Sequence, residues 1–163
     1  NFGESDRFIT IFSRNNGKIE VIAKGVRKIT SRRSSHTELL NLVRFQSVKT
    51  SKNYILTEVE LIDSFQPLKK NLRNIKEVFL ICELVNNFCA TSEKHSNVFD
   101  LICNTIKKIK DGEKNVSFDF QKNLLVNLGF WNDKRKFSNE KELRSFIESI
   151  IEKKIKTNIF FKV

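Results

Sequence analysis

The sequence predicts an α+β protein in which a small β-barrel precedes an α-helical region. Residues 1–62 contain short runs in which apolar and polar residues alternate, a pattern typical of strands. Beyond residue 63 the apolar residues recur every three or four positions, which is typical of helices. We therefore expect two units, a β unit at residues 1–62 and a helical unit at residues 63–163.

Four strands are predicted in the β unit. The first two cover residues 7–13 and 18–24, and Asn15-Asn16-Gly17 between them predicts a tight hairpin turn, because glycine tolerates left-handed backbone. Two further β-rich runs follow at residues 42–48 and 54–61. Four short strands in a segment of this length favour a small barrel.

Four helices are predicted in the helical unit. The first begins at Pro67 and is long, and its wide apolar stripe predicts a central position with burial on several sides. Ser96, Ser117 and Ser138 are the predicted N-terminal ends of three further helices, since a serine hydroxyl can accept hydrogen bonds from the free amides there.

The charge balance favours an anionic partner. Lys and Arg number 30 against 19 Asp and Glu, a formal net charge of +11, and such an excess attracts nucleic acid or an acidic membrane surface. Much of the lysine excess follows a general bias in amino-acid composition, so lysine excess alone is weak evidence for an anionic partner. Six of the nine arginines, however, lie within the first 44 residues, and guanidinium is the side chain that phosphate recognition prefers. The positive charge of the β unit is therefore the more informative part.

A basic loop, residues 23–35, follows the second predicted strand and contains five cations and no acid. The predicted nucleic-acid site consists of seven side chains: Arg7, Arg14, Lys24, Arg27, Lys28, Arg32 and Arg33. The four between positions 27 and 33 are expected to contact phosphates, and the other three to extend the positive surface. The alternative is a loop whose charges are only solvated. Just before the first strand, Gly3-Glu4-Ser5-Asp6 predicts a turn in which Asp6 or Ser5 bonds nearby backbone amides.

Aromatic residues and a second basic cluster leave alternatives open. Four strand aromatics either fill the barrel core or form platforms for base stacking: Phe8, Phe12, Phe45 and Tyr54. The core is favoured for the three phenylalanines because burial of their rings is favourable, and Tyr54 stays open. The second cluster either extends the nucleic-acid path or caps the preceding helix: Lys134, Arg135 and Lys136.

No catalytic residue, metal site or cofactor is predicted. His36 and His95 lie in separate loops without ligand spacing, and the sequence has no glycine-rich phosphate loop. Three cysteines without a paired spacing are expected to be small core residues in a reducing cytoplasm. No apolar run is long enough for a membrane span and no signal peptide is found, so a soluble, intracellular protein is expected.

Several segments resemble the RecO family of bacterial recombination mediators. The similarity is most specific in FGESDRFITIFS at residues 2–13, in GKI at 17–19, and in AKGVRK at 23–28 with Ser31-Arg32 behind it. Weaker similarity follows at residues 56–65, at Leu128-Gly-Phe130 and at the tail, residues 155–161. The resemblance therefore extends along the whole chain.

The resemblance implies an N-terminal OB-fold followed by a helical domain, in a cytoplasmic, nucleoid-associated protein without a membrane partner. It also implies binding and annealing of single- and double-stranded DNA, and recombinase loading together with RecR and the acidic C-terminal tail of the single-strand-binding protein. An alternative is a non-enzymatic interaction module whose helical unit binds acidic protein tails.

Two departures from the family pattern lead to further expectations. Many members carry a four-cysteine zinc site where this sequence has WNDKRKF at residues 131–137, so zinc is expected to be absent. The family's strand before the Gly-Glu-Ser-Asp motif is not found here, so the sequence is expected to be an incomplete reading frame.

Overall fold

A computed structural model describes residues 3–51, 53–132 and 136–157. Four strands lie in the first part of these ranges: β1 Arg7–Ser13, β2 Gly17–Ala23, β3 Leu42–Lys49 and β4 Tyr54–Asp63. Five helices follow them: α1 Gln66–Lys69, α2 Leu72–Phe88, α3 Ser96–Lys110, α4 Val116–Asn127 and α5 Glu140–Ile151. The predicted α+β class, with strands first and helices second, is confirmed.

The strands form one sheet in the order β1-β2-β4-β3. β1 pairs with β2 and β3 with β4 in antiparallel hairpins, whereas β2 and β4 run parallel through Val21 opposite Tyr54 and Ile22 opposite Ile55. The four described strands form an open sheet and not a closed barrel, with β1 and β3 at its two edges. Alternation on β2 buries its apolar face, and the sheet core consists of Ile19, Val21, Ala23, Val26 and Leu56.

The helices pack around a larger core. α2 is central, as its apolar stripe predicts, with Ile81 and Leu84 almost completely buried. Phe12 and Leu42 of the sheet pack against this helical core, so the two units are in contact. Cys89 is buried there as predicted, whereas Cys103 is half-buried and Cys82 is exposed.

The long helix begins at Leu72, so the predicted start at Pro67 is wrong. Pro67 lies in the short helix α1, and the chain then becomes extended at Asn71, with φ −110° and ψ 116°. The Asn71 side-chain oxygen accepts hydrogen bonds from the amides of Arg73 and Asn74, at 2.9 and 3.3 Å. This asparagine cap provides a better helix start than continuation from the proline.

α3 begins at the predicted Ser96, but the capping residue before each of the three other predicted helices lies one or two positions from the predicted serine. His95 precedes α3 and Asn115 precedes α4, and neither side chain makes a capping hydrogen bond. Before α5 the cap is Asn139, which accepts from the Glu142 amide at 3.0 Å. The Glu142 carboxylate in turn accepts from the Ser138 amide at 2.9 Å, so Ser138 contributes its backbone rather than its hydroxyl.

Glu148 fixes the chain that leaves α5. Its carboxylate accepts hydrogen bonds from Arg144 at 3.1 Å, from Lys154 at 2.8 Å and from the Ile155 amide at 3.0 Å. Burial raises the pKa of this carboxyl, but the three donors outweigh burial and lower the pKa to about 2. Ile155 is thereby held in the helical core, where it is fully buried.

The β1–β2 turn packs directly on the segment between α2 and α3. Gly17 has φ 62°, and a Cβ added there would lie 1.7 Å from the carbonyl oxygen of Glu93. Next to it, the Lys18 carbonyl accepts from the Ser92 amide at 2.7 Å. The glycine predicted from turn chemistry is therefore also required for contact between the two units. No helix in the described ranges has the length and apolar character needed to cross a membrane.

Replacing Gly17 by alanine is expected to lower the free energy of unfolding by about 3 kcal/mol or more. The loss combines an unfavourable positive φ with a clash against backbone that cannot move away alone. Urea unfolding followed by circular dichroism measures it.

Gly112→Ala is the matched control for this prediction. Gly112 has φ +79°, but nothing lies within 4 Å of an added Cβ. Its loss is expected to stay at about 1–2 kcal/mol, the cost of the backbone conformation alone. Equal losses in the two variants would contradict a tight contact between Gly17 and Glu93.

Candidate nucleic-acid interface

The basic loop leaves β2 as a series of hydrogen-bonded turns. The Lys28 amide donates to the Gly25 carbonyl at 3.2 Å, and the Ser31 amide donates to the Lys28 carbonyl at 2.9 Å. Val26, the one large apolar residue at the start of the loop, is 1% exposed and belongs to the sheet core. The loop therefore has a defined shape and is anchored from within by a buried side chain.

Asp6 joins this loop to the start of β1. Its carboxylate accepts from the Gly25 amide at 2.8 Å and from the Gly3 amide at 3.1 Å. Beside it, the Ser5 carbonyl accepts from the Arg27 amide at 2.9 Å. The prediction that Asp6 bonds nearby amides is confirmed, and one of these amides lies 19 residues further along the chain.

The surroundings of Asp6 favour its charged form. The amide hydrogen bonds of Gly25 and Gly3 lower the pKa of the carboxyl, and the positive charges of Lys24 and Lys28 lower it further. Asp6 is itself buried, at 8% exposure. A buried carboxylate beneath a cationic loop therefore acts as a structural clamp, while the ammonium groups remain at the surface.

Arg33 closes the other end of the loop. Its guanidinium donates to three backbone carbonyls: Lys24 at 2.9 Å, and Leu56 and Thr57 at 3.4 Å each. These bonds tie the loop to β4, and because carbonyls are uncharged they leave the positive charge of Arg33 in place. Arg33 thus serves the fold, and its planar fork is the reason an arginine suits this position.

Arg7 and Arg14 pair with carboxylates of their own chain. Arg7 lies 3.3 Å from Glu38, and Arg14 lies 3.0 Å from Asp100 of α3. Each pair places an acid beside the arginine, so neither site presents an isolated positive charge. Exposed pairs of this kind contribute only about 0–1 kcal/mol to stability.

Four cations of the loop are exposed, and no carboxylate in the described ranges forms an ion pair with them: Lys24, Arg27, Lys28 and Arg32. Lys24, Lys28 and Arg32 line an open depression of about 560 Å³, together with Arg33, the hydroxyl residues Thr30 and Ser31, and Asp6, whose carboxylate is bonded to backbone amides. Ammonium, guanidinium and hydroxyl donors around a shallow depression can bind phosphate oxygens. We call these four residues the free cation set.

The strand aromatics divide between the two cores and the surface. Phe12 packs against the helical core, and Phe45 and Tyr54 pack against the sheet core. The preference for burial holds for Phe12 and Phe45 but is wrong for Phe8, which is 56% exposed. Tyr54, left open by the sequence, is half-buried with the Lys49 ammonium 5.9 Å from its ring centroid.

Little can be added for the second basic cluster, because Lys134 and Arg135 lie outside the described residues and Lys136 is exposed. The His36 ring contacts the Val59 carbonyl at 3.2 Å, and His95 lies 3.5 Å from Glu93. The described parts of the chain hold no group of three or more His, Cys, Asp or Glu side chains able to bind a metal ion.

Sequence reasoning missed two features of this surface. The carboxylates that pair with Arg7 and Arg14 lie 31 and 86 residues away along the chain, and no local sequence pattern predicts these pairs. Ile29 stands alone among polar residues and belongs to no predicted element, yet its side chain is fully exposed beside Lys28. The signal in the sequence is an apolar residue that fits neither the alternation of a strand nor the three- to four-residue period of a helix.

Comparisons with known proteins place these observations in a family context. The family model described as Recombination protein O N terminal matches residues 1–65, which contain the whole sheet and the basic loop. Three relatives are each named DNA repair protein RecO. That of Acetivibrio thermocellus is 29% identical over 133 residues, covering 80% of this chain and 53% of the relative.

The other two relatives agree. The Dehalococcoides mccartyi protein is 30% identical over 154 residues, and the matched region covers 89% of this chain and 58% of that protein. The Bacillus velezensis protein is 32% identical over 113 residues, and the matched region covers 68% of this chain and 44% of that protein. The chain spans about half the length of the curated relatives it matches. The sheet that the family model matches has the OB-fold that the resemblance implies.

Replacing Asp6 by asparagine is expected to destabilise the protein at neutral pH and to loosen the basic loop. The folded pKa of Asp6 is lowered, so its stabilisation is present above the ordinary carboxyl pKa and is lost as pH falls through the folded value. The difference in unfolding free energy between the parent and Asp6→Asn should therefore shrink below about pH 4. Urea unfolding across this pH range measures it.

Glu4→Gln controls for removal of a nearby acid, because Glu4 is exposed and accepts no hydrogen bond from the described residues. This variant should match the parent throughout the titration. Limited trypsin digestion supplies a second readout, since a loosened loop is cut faster after its lysines and arginines. A stability difference that does not change with pH would contradict a clamp based on charge.

Proposed function

Because the chain belongs to the RecO family, we propose that it acts in DNA repair as a non-enzymatic protein that binds single- and double-stranded DNA. The observation that carries this proposal is the free cation set: four exposed cations on one loop of the OB-fold unit, none of which forms an ion pair with a carboxylate of the described residues. A surface of this kind attracts a polyanion irrespective of base sequence.

DNA is proposed to lie across the depression bounded by Lys24, Lys28 and Arg32, and Arg27, which precedes Lys28 in the loop, is proposed to extend the positive surface. Each cation that neutralises a phosphate releases condensed counterions, and this release supplies the main driving force. Arg33 adds to the local field while its guanidinium holds the loop. Arg7 and Arg14 contribute less, because Glu38 and Asp100 repel phosphate from the same positions.

Annealing follows from this mode of binding. Two complementary strands repel each other through their phosphates, and a protein that neutralises phosphates while leaving base edges free lowers that barrier. No covalent step is required, and we propose none. Recombinase loading with a RecR-type partner and the acidic tail of a single-strand-binding protein is proposed from the family alone, without an assigned surface on this chain.

Replacing the free cation set by alanine is expected to weaken single-strand binding and to flatten its salt dependence. The slope of log K against log salt should fall by about 0.7 per lost phosphate contact, or by about 3 in total. Fluorescence anisotropy of a labelled oligonucleotide across a salt series measures both quantities.

A control variant removes the same charge elsewhere. Four exposed lysines outside the loop are replaced by alanine: Lys70, Lys94, Lys114 and Lys141. Both variants lower the formal net charge from +11 by four. Slopes that fall equally in the two variants would contradict a localised site and favour attraction by net charge alone. A parent chain without salt-dependent binding would favour a protein-interaction module instead.

The chain is also expected to accelerate annealing of complementary oligonucleotides without ATP or added metal, because charge neutralisation is the only contribution asked of it. Quenching between two end-labelled strands reports the rate. The loop variant should lose most of the acceleration and the lysine control should keep it. Tight binding without any acceleration would contradict the annealing role.

A further inference from the structure

Ile29 stands at the tip of the basic loop with its side chain fully in solvent, at 105% relative exposure. Isolated exposed apolar residues are common on protein surfaces. The setting of Ile29 is different, because Arg27 and Lys28 precede it, Arg32 follows closely, and none of the three forms an ion pair with a carboxylate of the described residues. The loop thus presents one large apolar group surrounded by free positive charge.

Three hydrogen bonds hold the segment around Ile29 in place. The Asp6 carboxylate bonds the Gly25 amide, the Arg27 amide bonds the Ser5 carbonyl, and the turn bond from Ser31 to Lys28 spans Ile29 itself. Two anchors, buried Val26 and the Arg33 fork, flank the segment. A side chain presented on so constrained a loop loses little conformational entropy when it inserts into a partner.

We propose that Ile29 is an apolar wedge that enters between adjacent bases while the free cation set holds the flanking phosphates. This inference rests on the proposed function and adds a mode of binding to it. Aliphatic side chains flanked by cations can unstack bases, and base faces are the apolar surface that a polynucleotide offers. Unstacked bases are also better placed to pair with a second strand.

An acidic lipid surface is the competing partner for a cationic loop with an apolar tip. Membrane attachment needs more buried apolar area than one side chain provides. Ile29 is the only large exposed apolar residue within residues 24–35 of the described chain. A single aliphatic group matches the space between two bases, so the observations favour nucleic acid.

Binding measured across a salt series distinguishes the contribution of the Ile29 side chain to affinity from that of the free cation set. Ile29→Ala is expected to weaken binding to a single-stranded adenine tract about tenfold at every salt concentration, through loss of apolar contact, with the slope unchanged. The free cation variant instead changes the slope. An adenine tract with an internal 2-aminopurine should brighten when the parent binds, because unstacking relieves quenching, and Ile29→Ala should abolish this increase.

Two further variants sharpen the test. Leu39→Ala removes another exposed apolar side chain, 72% exposed, outside the basic loop, and should behave as the parent. Ile29→Lys adds a cation, so affinity at low salt should be kept or improved while the fluorescence increase is lost. Thermal unfolding should be unchanged in the Ile29 variants, since that side chain makes no contact to lose.

The outcomes distinguish the wedge from the function on which it rests. Salt-dependent binding with parent-like affinity and fluorescence in Ile29→Ala would overturn the wedge and leave the proposed function standing. A parent chain that does not bind the oligonucleotide would overturn both. Binding to anionic phosphatidylserine vesicles that depends on Ile29, with DNA binding indifferent to it, would assign the tip to a membrane surface and overturn the wedge.

Discussion

The hydrogen bonds from the Gly25 and Gly3 amides to the Asp6 carboxylate are the constraint on which the candidate interface depends. They join the start of β1 to the end of β2, and so fix the point from which the basic loop leaves the sheet. The buried acid is committed to amides, whereas Lys24 and Lys28 affect it only through space. An acid held in this way orders the cationic loop without forming an ion pair with its cations. A surface ion pair would instead neutralise the cation that it contacts.

The rest of the molecule supports that arrangement. β2 carries the buried residues of the sheet core and pairs with β4 in parallel, and β4 supplies two of the three carbonyls that hold Arg33. The contact between Gly17 and Glu93 places the opposite end of the same hairpin on the helices. The loop is therefore attached to a hairpin that is fixed at both ends, so its shape follows from packing of the whole protein.

Sequence patterns predicted the elements well and the site only in part. Alternation marked all four strands, and the three- to four-residue period marked α2 to α5, because each pattern reflects burial of one face. The start of the long helix was misplaced because the Asn71 cap competes with Pro67, and both are helix-start signals. Within the site, the loop and the Asp6 turn were local and could be predicted. The pairing of Arg14 with Asp100 depends on how the helices pack on the sheet, which no local pattern encodes.

This last point changes how arginine should be weighed in a basic sequence. A planar guanidinium suits a phosphate, but it suits a carboxylate or a set of carbonyls equally well. Of the six arginines in the β unit, four have such internal partners: Arg7, Arg14, Arg33 and Arg44. Arg27 and Arg32 have no such partner in the part of the chain that the structure describes, and the other two members of the free cation set are lysines. The property that makes arginine a good indicator of nucleic-acid binding therefore also removes many arginines from the binding surface. A candidate interface is therefore indicated by a cation that forms no ion pair within the protein, whether lysine or arginine supplies it.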